Sequence, residues 1–584
     1  MGISLQQYSF NEDTPLKLKN ATHGSNWPVV YIINNTKEVY IGETTNASNR
    51  TKQHLTNEDR KRLKKITIID DPKANKSSVL DLESFLIKHM AADELFTLQN
   101  GNGGLQNHNY YQRKEYEDNF EDIWNLLKSK NLVKNNLIDI RNSDLFIYSP
   151  YKTLTDEQHD VVNNILLQLL SDVKQKTQTT FFVHGGTGTG KTILGVYLVK
   201  LLSQIKDMEE SEINETFLDE EKTSLLLSTP NMSEFKIGFV VPMDNLRATI
   251  KKVFKRIKGL SESMVVSPHQ VANSEDNYDL LIVDESHRLK RRKGITQYGT
   301  YDQNNQNLEL DKDATQLDWI LKKSKYQIFF YDEEQTVKPA DVPKSHFDKL
   351  FEKENCHRYY LQTQLRCLAG GNEYINFVKT LFSDVEPEGY YTSDFYDLAL
   401  FDDVDKMIQT IKSKNSKFGL CRTVAGYAWA WKTKGKSLPL HVKDENLQES
   451  LDNGIYDIEI EGNKYIWNSK ATDWINSANS VNEIGSIHTV QGFDLNYAGV
   501  IIGNELRYDN ENHKLIVERD NYFDRNGKNS TNDKELLQYV LNIYKVLMTR
   551  GTKGTYVYVC DPELRSYLKK FIKTYSLNDT EGEE

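Results

Sequence analysis

One short stretch of the sequence combines glycine, lysine and threonine at a spacing suited to binding nucleotide phosphates. Between Gly185 and Thr192 the residues follow the pattern G-x-x-x-x-G-K-T. Glycines at this spacing, here Gly185, Gly188 and Gly190, let backbone N–H groups close around phosphate oxygens. Lys191 adds a positive charge for the β- and γ-phosphates, and the Thr192 hydroxyl can bind Mg²⁺. The motif therefore predicts a nucleoside triphosphate site with Mg²⁺, for ATP or GTP.

Two adjacent carboxylates farther along the chain complete this chemistry. Asp284 and Glu285 directly follow the apolar run 280–283, which is typical of a buried parallel strand. Phosphoryl transfer at such a site requires an acid at a strand end near the magnesium ion. We therefore predict that Asp284 holds Mg²⁺ through water and that Glu285 polarises the attacking water.

The residues around the phosphate motif predict a strand, a loop and a helix, in that order. Residues 181–183 are apolar, and the apolar run that resumes at Ile193 has a helical pattern through Val199. A helix that begins at the end of a glycine loop directs its N-terminal N–H groups at the phosphates.

A β-hairpin is predicted near the N-terminus. Residues 29–33 and 38–42 are rich in valine, isoleucine and tyrosine, and they flank the polar turn 34–37. Tyr31 and Tyr40 lie on the two predicted strands.

Two predicted helices follow the hairpin. The first carries Arg50 and His54 four residues apart, so these side chains share a face. The second spans 79–90 and carries Glu83, and a polar, glycine-rich stretch at 98–104 follows it. Tyrosine, arginine, histidine, glutamate and asparagine thus recur around one short sheet.

Composition limits the classes of protein that need to be considered. The 584 residues exceed one hydrophobic core and suggest three or four domains. Their net charge of −11 argues against a wholly basic nucleic-acid binder. The four cysteines follow neither a disulfide framework nor metal-ligand spacing, which suits a reducing compartment. With neither a membrane-spanning run nor a signal peptide in the sequence, we expect a soluble, cytoplasmic protein.

Residues 27–110 resemble the GIY-YIG nuclease family. The hairpin triplets VVY and YIG match the two triplets that name the family, although Val29 stands where a small residue is usual. The resemblance implies catalytic roles for Tyr31, Tyr40, Arg50, His54, Glu83 and Asn100, with Asn107 as the alternative to Asn100.

The resemblance also implies a mechanism. Glu83 would hold one Mg²⁺ against the scissile phosphate, the tyrosines and His54 would activate water and move protons, and Arg50 would neutralise the developing charge. The basic run 60–65 beside this site is compatible with binding a phosphate backbone.

Residues 150–570 resemble superfamily 1 helicases, and in detail the Schlafen-like group. Gln158 is similar to the glutamine that reads adenine in these proteins, since an amide can pair with both edges of that base. Gln335 follows the apolar strand 327–331 and looks like the residue that senses the γ-phosphate.

The second half of the chain carries further motifs in the helicase order. Arg366 and Arg550 resemble the two arginines that reach ATP from the second lobe, and Gln491 with Gly492 resembles the motif that contacts nucleotide and nucleic-acid backbone. Arginines supplied by a second lobe would make hydrolysis depend on closure of a cleft, as in a motor.

Together these features predict an α/β protein in which a small α+β nuclease-like domain precedes two RecA-like lobes with parallel sheets. The predicted segments are a nuclease-like domain at 1–111, a helical linker at 112–150, a first lobe at 151–345, and a second lobe at 346–584 with an insertion at 434–475 and an acidic tail at 577–584.

We therefore expect an ATP-dependent helicase or translocase coupled to a Mg²⁺-dependent endonuclease acting on DNA. By analogy of architecture, the combination resembles bacterial nuclease-helicase proteins that act against phage DNA. Two alternatives stay open at this point: RNA as the substrate, and a nucleic-acid-binding ATPase switch with a silent nuclease-like module. The sequence leaves the oligomeric state open.

Overall fold

The computed structural model describes a defined part of the chain, namely residues 2–100, 110–152, 154–207, 234–364, 371–433, 451, 454–470, 473–477, 479–490 and 492–576. Arg366, Gln491, Asn107 and the predicted acidic tail lie outside the described residues, as does part of the predicted insertion.

The chain divides into two compact units. The first contains Met1–His159, Val196–Ile205 and Ile250–Glu262. The second contains Asp160–Gly195, Lys206–Thr249 and Ser263–Glu584.

A five-stranded sheet forms the centre of the first unit. Its strands are β1 (Ser4–Ser9), β2 (Val29–Asn34), β3 (Glu38–Thr44), β4 (Lys65–Asp70) and β5 (Thr97–Leu98). They are ordered β1-β4-β2-β3-β5, and every neighbouring pair is antiparallel except β3 and β5. Its helices are α1 (Thr14–Lys19), α2 (Ala47–Thr56), α3 (Lys76–Asp93), α4 (Arg113–Ser129), α5 (Leu137–Arg141) and α6 (Asp144–Ile147).

The predicted hairpin is formed by β2 and β3, and Asn35 closes its turn. The Asn35 backbone N–H donates to the Glu38 carbonyl at 3.0 Å. Its side-chain oxygen accepts from the N–H groups of Lys37 and Glu38 at 2.8 and 2.7 Å. The Asn35 side chain therefore accepts hydrogen bonds from backbone N–H groups of the turn, as asparagine commonly does.

Alternate residues of β2 enter two different cores. Val30 and Ile32 pack in one core with Trp124 of α4, whereas Tyr31 and Ile33 belong to the core on the opposite face. The twofold period of a strand produces this division and directs Tyr31 to the face that α2 covers.

The segment predicted as a helical linker packs into the first unit. Phe120, Ile123, Trp124 and Leu127 of α4 are buried in the core that also contains Leu86 of α3. Their helical spacing supplies an apolar face, and that face is covered by the N-terminal sheet and α3.

Two parallel sheets form the second unit. The strands of the first are β6 (Thr179–Gly185), β7 (Ile237–Val240), β8 (Val265–Val266), β9 (Tyr278–Val283), β10 (Ser324–Tyr331) and β11 (Cys356–Leu361), in the order β11-β6-β10-β9-β7-β8. The strands of the second are β12 (Asp397–Phe401), β13 (Arg422–Ala425), β16 (Ile484–Ser486), β17 (Leu495–Ile502) and β20 (Gly551–Val559), in the order β12-β20-β17-β13-β16. Two hairpins are formed by β14 (Ile458–Ile460) with β15 (Asn463–Tyr465) and by β18 (Leu506–Asp509) with β19 (Lys514–Val517).

The remaining helices of the described residues follow in chain order. They are α7 (Asp156–Gln175), α8 (Lys191–Asp207), α9 (Asp244–Arg256), α10 (Pro268–Ala272), α11 (Tyr298–Asn307), α12 (Gln316–Lys323), α13 (Lys344–Phe351), α14 (Gly371–Leu381), α15 (Val404–Phe418), α16 (Ile487–Val490), α17 (Arg525–Asn529), α18 (Asp533–Met548) and α19 (Pro562–Leu568). Of these, α7, α8 and α9 each contain residues of both units. None of the helices in the described part of the chain combines the length and apolar character needed to cross a membrane.

The predicted α/β class with two parallel-sheet lobes is confirmed. Strand order brings the carboxyl ends of β6, β9 and β10 to one edge of the first parallel sheet, because all three are parallel and β10 lies between the other two. In open α/β sheets this edge is where ligands bind.

Candidate functional site

The glycine loop joins the end of β6 to the start of α8. Gly188 and Gly190 have φ values of +84° and +80°, a region that side-chain-bearing residues rarely adopt. A Cβ atom at Gly185 would lie 2.5 Å from the Thr189 Oγ1 atom. The glycines therefore allow a tight loop whose N–H groups lead into the helix N-terminus, the geometry that binds phosphate.

Lys191 is the first residue of α8, and its ammonium group lies inside the loop. Nζ donates to the carbonyl oxygens of Gly185 and Gly186 at 2.6 and 2.8 Å. It also lies 3.3 Å from Oδ2 of Asp332 at the end of β10. Only 5% of the Lys191 side chain is exposed, so this buried cation is compensated by three oxygen atoms that phosphate oxygens can replace.

Thr192 and Asp284 form the part of the site that suits Mg²⁺. The Thr192 hydroxyl donates to Asp284 Oδ2 at 2.8 Å. Asp284 is fully buried, and within the described residues its other oxygen, Oδ1, has no hydrogen-bond partner. Burial and the neighbouring Glu285 carboxylate raise the pKa of Asp284. A divalent cation bound with a nucleotide would relieve this unfavourable burial of negative charge, so the residues fit the metal.

Glu285 has a strained backbone at the end of β9. Its φ and ψ of +48° and +46° lie in the left-handed region, which costs a non-glycine residue about 1–3 kcal/mol. Its Oε2 atom lies 2.9 Å from Nε2 of His287, a residue that is also buried. Burial alone would raise the pKa of Glu285, but His287 and Lys191 lower it overall. Glu285 is therefore held as a carboxylate beside the phosphate loop.

A polar chain continues from Lys191 toward the second parallel sheet. Gln335 Nε2 donates to Asp332 Oδ2 at 2.6 Å, and Arg550 Nη2 donates to Gln335 Oε1 at 3.5 Å. Arg550 is 1% exposed, directly precedes β20, and also donates to the Phe493 carbonyl at 3.2 Å. The structure thus brings Lys191, Gln335 and Arg550 together and links Lys191 to Gln335 through Asp332.

Sequence reasoning did not single out Asp332 or His287. A signal for Asp332 was present, because it ends an apolar strand just as Asp284 does. His287 stands only two residues after Glu285. No helical or strand pattern in the sequence indicates which side chain His287 contacts.

A cavity of about 180 Å³ lies beside the loop. Its walls come from the glycine loop, residues 361–364, α14 and α18, and they include Lys379 and Lys545. Glu334 also lines the cavity and pairs with Lys379 at 2.7 Å, so it balances part of the positive charge that the two lysines supply. Gly492 has a φ of +91° and packs against Leu246 and Met243 of the first lobe.

Gln158 contributes to the start of α7. Its backbone N–H donates to Thr155 Oγ1, and its side-chain Oε1 accepts from the Thr155 N–H, both at 3.2 Å. This reciprocal pair caps the helix, so the amide oxygen of the predicted adenine-reading glutamine serves a capping box.

A second cluster lies in the first unit, on the hairpin and α2. The Tyr31 hydroxyl lies 2.7 Å from His54 Nε2, and Arg50 Nε donates to the same hydroxyl at 3.4 Å. The rings of Tyr40 and His54 are 5.1 Å apart. Burial raises the pKa of Tyr31, which is held as a neutral phenol.

Gly42 makes room for this cluster. It lies opposite Tyr31 in the hairpin register, and a Cβ atom at Gly42 would stand 2.3 Å from the Tyr31 hydroxyl oxygen. The glycine of the YIG triplet is therefore required because the tyrosine side chain lies across it.

Glu83 of α3 is half-buried near Glu43 of β3. Burial and the Glu43 carboxylate raise the pKa of Glu83 to about 7. Lys76 forms an ion pair with Glu43. Within the described residues no group of three or more histidine, cysteine, aspartate or glutamate side chains could hold a metal. One or two carboxylates nevertheless suit Mg²⁺, which keeps several waters and shares ligands with a substrate phosphate, so the residues fit that ion.

Asn100 binds the backbone of β3 through its side-chain amide. Its Oδ1 accepts from the Ile41 N–H at 3.0 Å and its Nδ2 donates to the Ile41 carbonyl at 2.8 Å. Both polar atoms of the buried Asn100 amide thus bind the β3 backbone at Ile41, between Tyr40 and Gly42. The structure therefore places the Asn100 amide against the strand backbone.

Comparison with known families identifies the larger part of the chain. Residues 178–561, well over half of the sequence, match the Schlafen group 3 DNA/RNA helicase domain. The chain belongs to this helicase family. The predicted helicase resemblance is therefore confirmed for the Schlafen group 3 domain, and the N-terminal sheet lies outside the matched range.

Individual relatives of this Schlafen group 3 protein are distant. An uncharacterized protein of Saccharomyces cerevisiae is 25% identical over 456 residues, which cover 71% of this chain and 90% of the yeast protein. A transcript termination protein of Yaba-like disease virus is 26% identical over 183 residues, covering 30% of this chain and 35% of the viral protein. Among solved structures, the Pif1 helicase from Bacteroides in complex with ADP-AlF3 and ssDNA aligns with 13% identity and a TM-score of 0.27, covering 74% of this chain and 97% of that one.

Proposed function

We propose that this protein hydrolyses ATP to move along nucleic acid and cuts that nucleic acid with a metal-dependent nuclease in its N-terminal unit. Membership of the helicase family and the buried Lys191–Asp332–Gln335–Arg550 chain support the first activity. The observation that carries the second is the contact of Tyr31 with both His54 and Arg50, in the same small unit as the half-buried Glu83.

In the proposed ATPase, each residue acts on the phosphates at a different point. Lys191 leaves the Gly185 and Gly186 carbonyls to bind the β- and γ-phosphates. Thr192 and Asp284 hold the magnesium ion, which neutralises phosphate charge when bound. Glu285 orients the attacking water, and Arg550 stabilises the charge of the transferred phosphoryl group.

Because Arg550 donates to Gln335, a change at the γ-phosphate can reach the second lobe through one hydrogen bond. This link is how we propose that hydrolysis produces movement. Arg366 and Gln491 lie outside the described residues. Arg366 stays a proposed second arginine finger, and Gln491 stays a proposed nucleotide contact.

In the proposed nuclease, the chain's own residues bind and orient a phosphodiester. Arg50 neutralises the phosphate, and the Tyr31 and Tyr40 hydroxyls offer hydrogen bonds to phosphate or water. Glu83 holds the metal, which supplies Lewis-acid activation of the phosphate when bound. The carboxylate of Glu43 adds negative charge beside Glu83 and favours a cation there.

Nucleic acid is the partner that both activities require, and we propose DNA. Lys61, Arg62, Lys64 and Lys65 are exposed in the basic run after α2 and are suited to phosphate contacts. By analogy with bacterial nuclease-helicase proteins, we propose a role in defence against phage DNA.

The experiment that tests the proposal uses the full chain with labelled single- and double-stranded DNA and RNA. Cleavage and phosphate release are measured with Mg²⁺ or EDTA, and with or without ATP. We expect metal-dependent cleavage of DNA, and ATP hydrolysis stimulated by nucleic acid. Cleavage of RNA alone would reassign the polymer, and hydrolysis without any cleavage would make the N-terminal unit a binding module.

Gly42→Ala is expected to reduce cleavage by about 10- to 100-fold while ATP hydrolysis continues. The added methyl would collide with the Tyr31 hydroxyl, and a displacement of about 1 Å in an active site can cost this much. The measurement is cleavage and phosphate release for each variant. Gly299→Ala is the matched control, since a Cβ atom there meets nothing within 4 Å. Full cleavage by Gly42→Ala would contradict the role given to Tyr31.

A further inference from the structure

Arg60 reaches the Tyr31–His54 pair from the turn that follows α2. The turn is fixed by Asn57, whose side-chain oxygen accepts from the N–H groups of Asp59 and Arg60, both at 3.1 Å. From this position Arg60 Nη1 lies 2.9 Å from His54 Nδ1. The Arg60 guanidinium also stacks on Tyr40, 3.9 Å from the ring centroid.

These contacts determine which nitrogen of His54 carries the proton. A guanidinium group can only donate hydrogen bonds, so Nδ1 must accept and be unprotonated. The single proton of the neutral imidazole is then on Nε2. Nε2 is the atom that lies 2.7 Å from the Tyr31 hydroxyl oxygen, so it donates to that oxygen.

The surroundings of His54 favour the neutral ring. The residue is 1% exposed, and it lies between two arginines, Arg50 and Arg60. Burial and both positive charges lower the pKa of His54 to about 3. Neither nitrogen is then available to take a proton, because Nδ1 faces a cation and Nε2 already carries a hydrogen.

We propose that Arg60 is a positioning residue of the N-terminal site that locks His54 in the Nε2–H form and makes it a hydrogen-bond donor to Tyr31. The catalytic consequence rests on the proposed nuclease function. It also revises the expectation that His54 moves protons during cleavage.

The consequence for Tyr31 is geometric. Its oxygen accepts from His54 Nε2 and from Arg50 Nε, so its own O–H must donate elsewhere. Fixed donors on two sides orient that O–H toward a phosphate oxygen or a water in the site. Residues that orient a reacting group in this way typically contribute about 10- to 100-fold to activity.

The test reads the His54 tautomer directly and in the full chain. Histidine is labelled selectively with ¹⁵N, and the His54 signals among the 13 histidines are assigned by their loss in His54→Gln. Ring nitrogens with and without a proton have distinct ¹⁵N shifts. We expect protonated Nε2 and unprotonated Nδ1 in the unmodified protein.

Three variants then separate positioning from simple packing. Arg60→Met keeps length and cover over Tyr40 but removes the donor, so we expect Nδ1 to become protonated in part and cleavage to fall about 10- to 100-fold. Arg60→Lys restores a cationic donor and is expected to recover the tautomer. Arg256→Met is the matched control, because Arg256 is an exposed arginine of the same unit that pairs with Glu94 and belongs to neither proposed site.

Each outcome has one meaning. Protonated Nδ1 in the unmodified protein, or an unchanged tautomer in Arg60→Met, overturns the inference. If His54 has the expected tautomer but the protein cuts no nucleic acid, the inference about His54 stands and the proposed nuclease function is wrong.

Discussion

Glu83→Gln is expected to reduce nucleic-acid cleavage by about a thousandfold and to leave ATP hydrolysis unchanged. Glutamine keeps an oxygen that can accept from the Glu43 backbone but loses the charge that holds a divalent cation. Metal activation of a phosphate is worth several kcal/mol, which corresponds to a loss of about this size. The measurement is plasmid and oligonucleotide cleavage beside phosphate release.

A stability measurement distinguishes this loss from misfolding. The pKa of Glu83 is raised to about 7 from an ordinary value of 4.5. Without metal, the folded protein therefore loses stability as pH rises from about 4.5 through about 7, because the buried carboxyl must ionise. In EDTA at pH 8, Glu83→Gln should melt at a higher temperature than the unmodified protein, and below pH 4.5 the difference should vanish.

Glu117→Gln serves as the control for the loss of one carboxylate. Glu117 lies on α4, is nearly half-exposed and pairs with Arg113. Cleavage by Glu117→Gln should match the unmodified protein. Undiminished cleavage by Glu83→Gln would show that the catalytic metal is held elsewhere.

Lys191→Ala is expected to reduce ATP hydrolysis by about a hundred- to a thousandfold and to weaken ATP binding. Its ammonium group is the cation enclosed by the glycine loop, and loss of one such electrostatic contact has an effect of this size. Glu285→Gln should also stop hydrolysis but should retain bound ATP, because that residue orients water. The measurements are phosphate release and binding of a fluorescent nucleotide.

Lys206→Ala controls for removal of a lysine from the same helix. Lys206 lies near the other end of α8, where Nζ donates to the Phe235 carbonyl at 3.4 Å. Hydrolysis at the normal rate in both Lys191→Ala and Glu285→Gln would rule out the proposed assignment of this site.

Local pattern was enough to predict the parts of the molecule that depend on neighbours in sequence. The strand, loop and helix around Lys191 follow from apolar runs and glycines within about twenty residues, and the hairpin follows from alternating residues around Asn35. The four apolar residues before Asp284 likewise predicted a buried parallel strand, and all four are buried in β9. In each case the residues that determine the structure are close in the chain, so their order carries the information.

Contacts between distant residues were decided only by the tertiary structure. Lys191 and Asp332 are separated by 141 residues and meet because β10 lies directly beside β6, although three strands intervene in sequence. Asn100 reaches Ile41 because β5 pairs with β3, and this uses the amide that the sequence assigned to catalysis. Arg60 looked like one member of an exposed basic run until the turn at Asn57 directed it to His54. Residue type and spacing therefore determined which chemistry this chain can perform, whereas strand order and turn geometry decided which side chains meet, because register across a sheet depends on the packing of the whole fold.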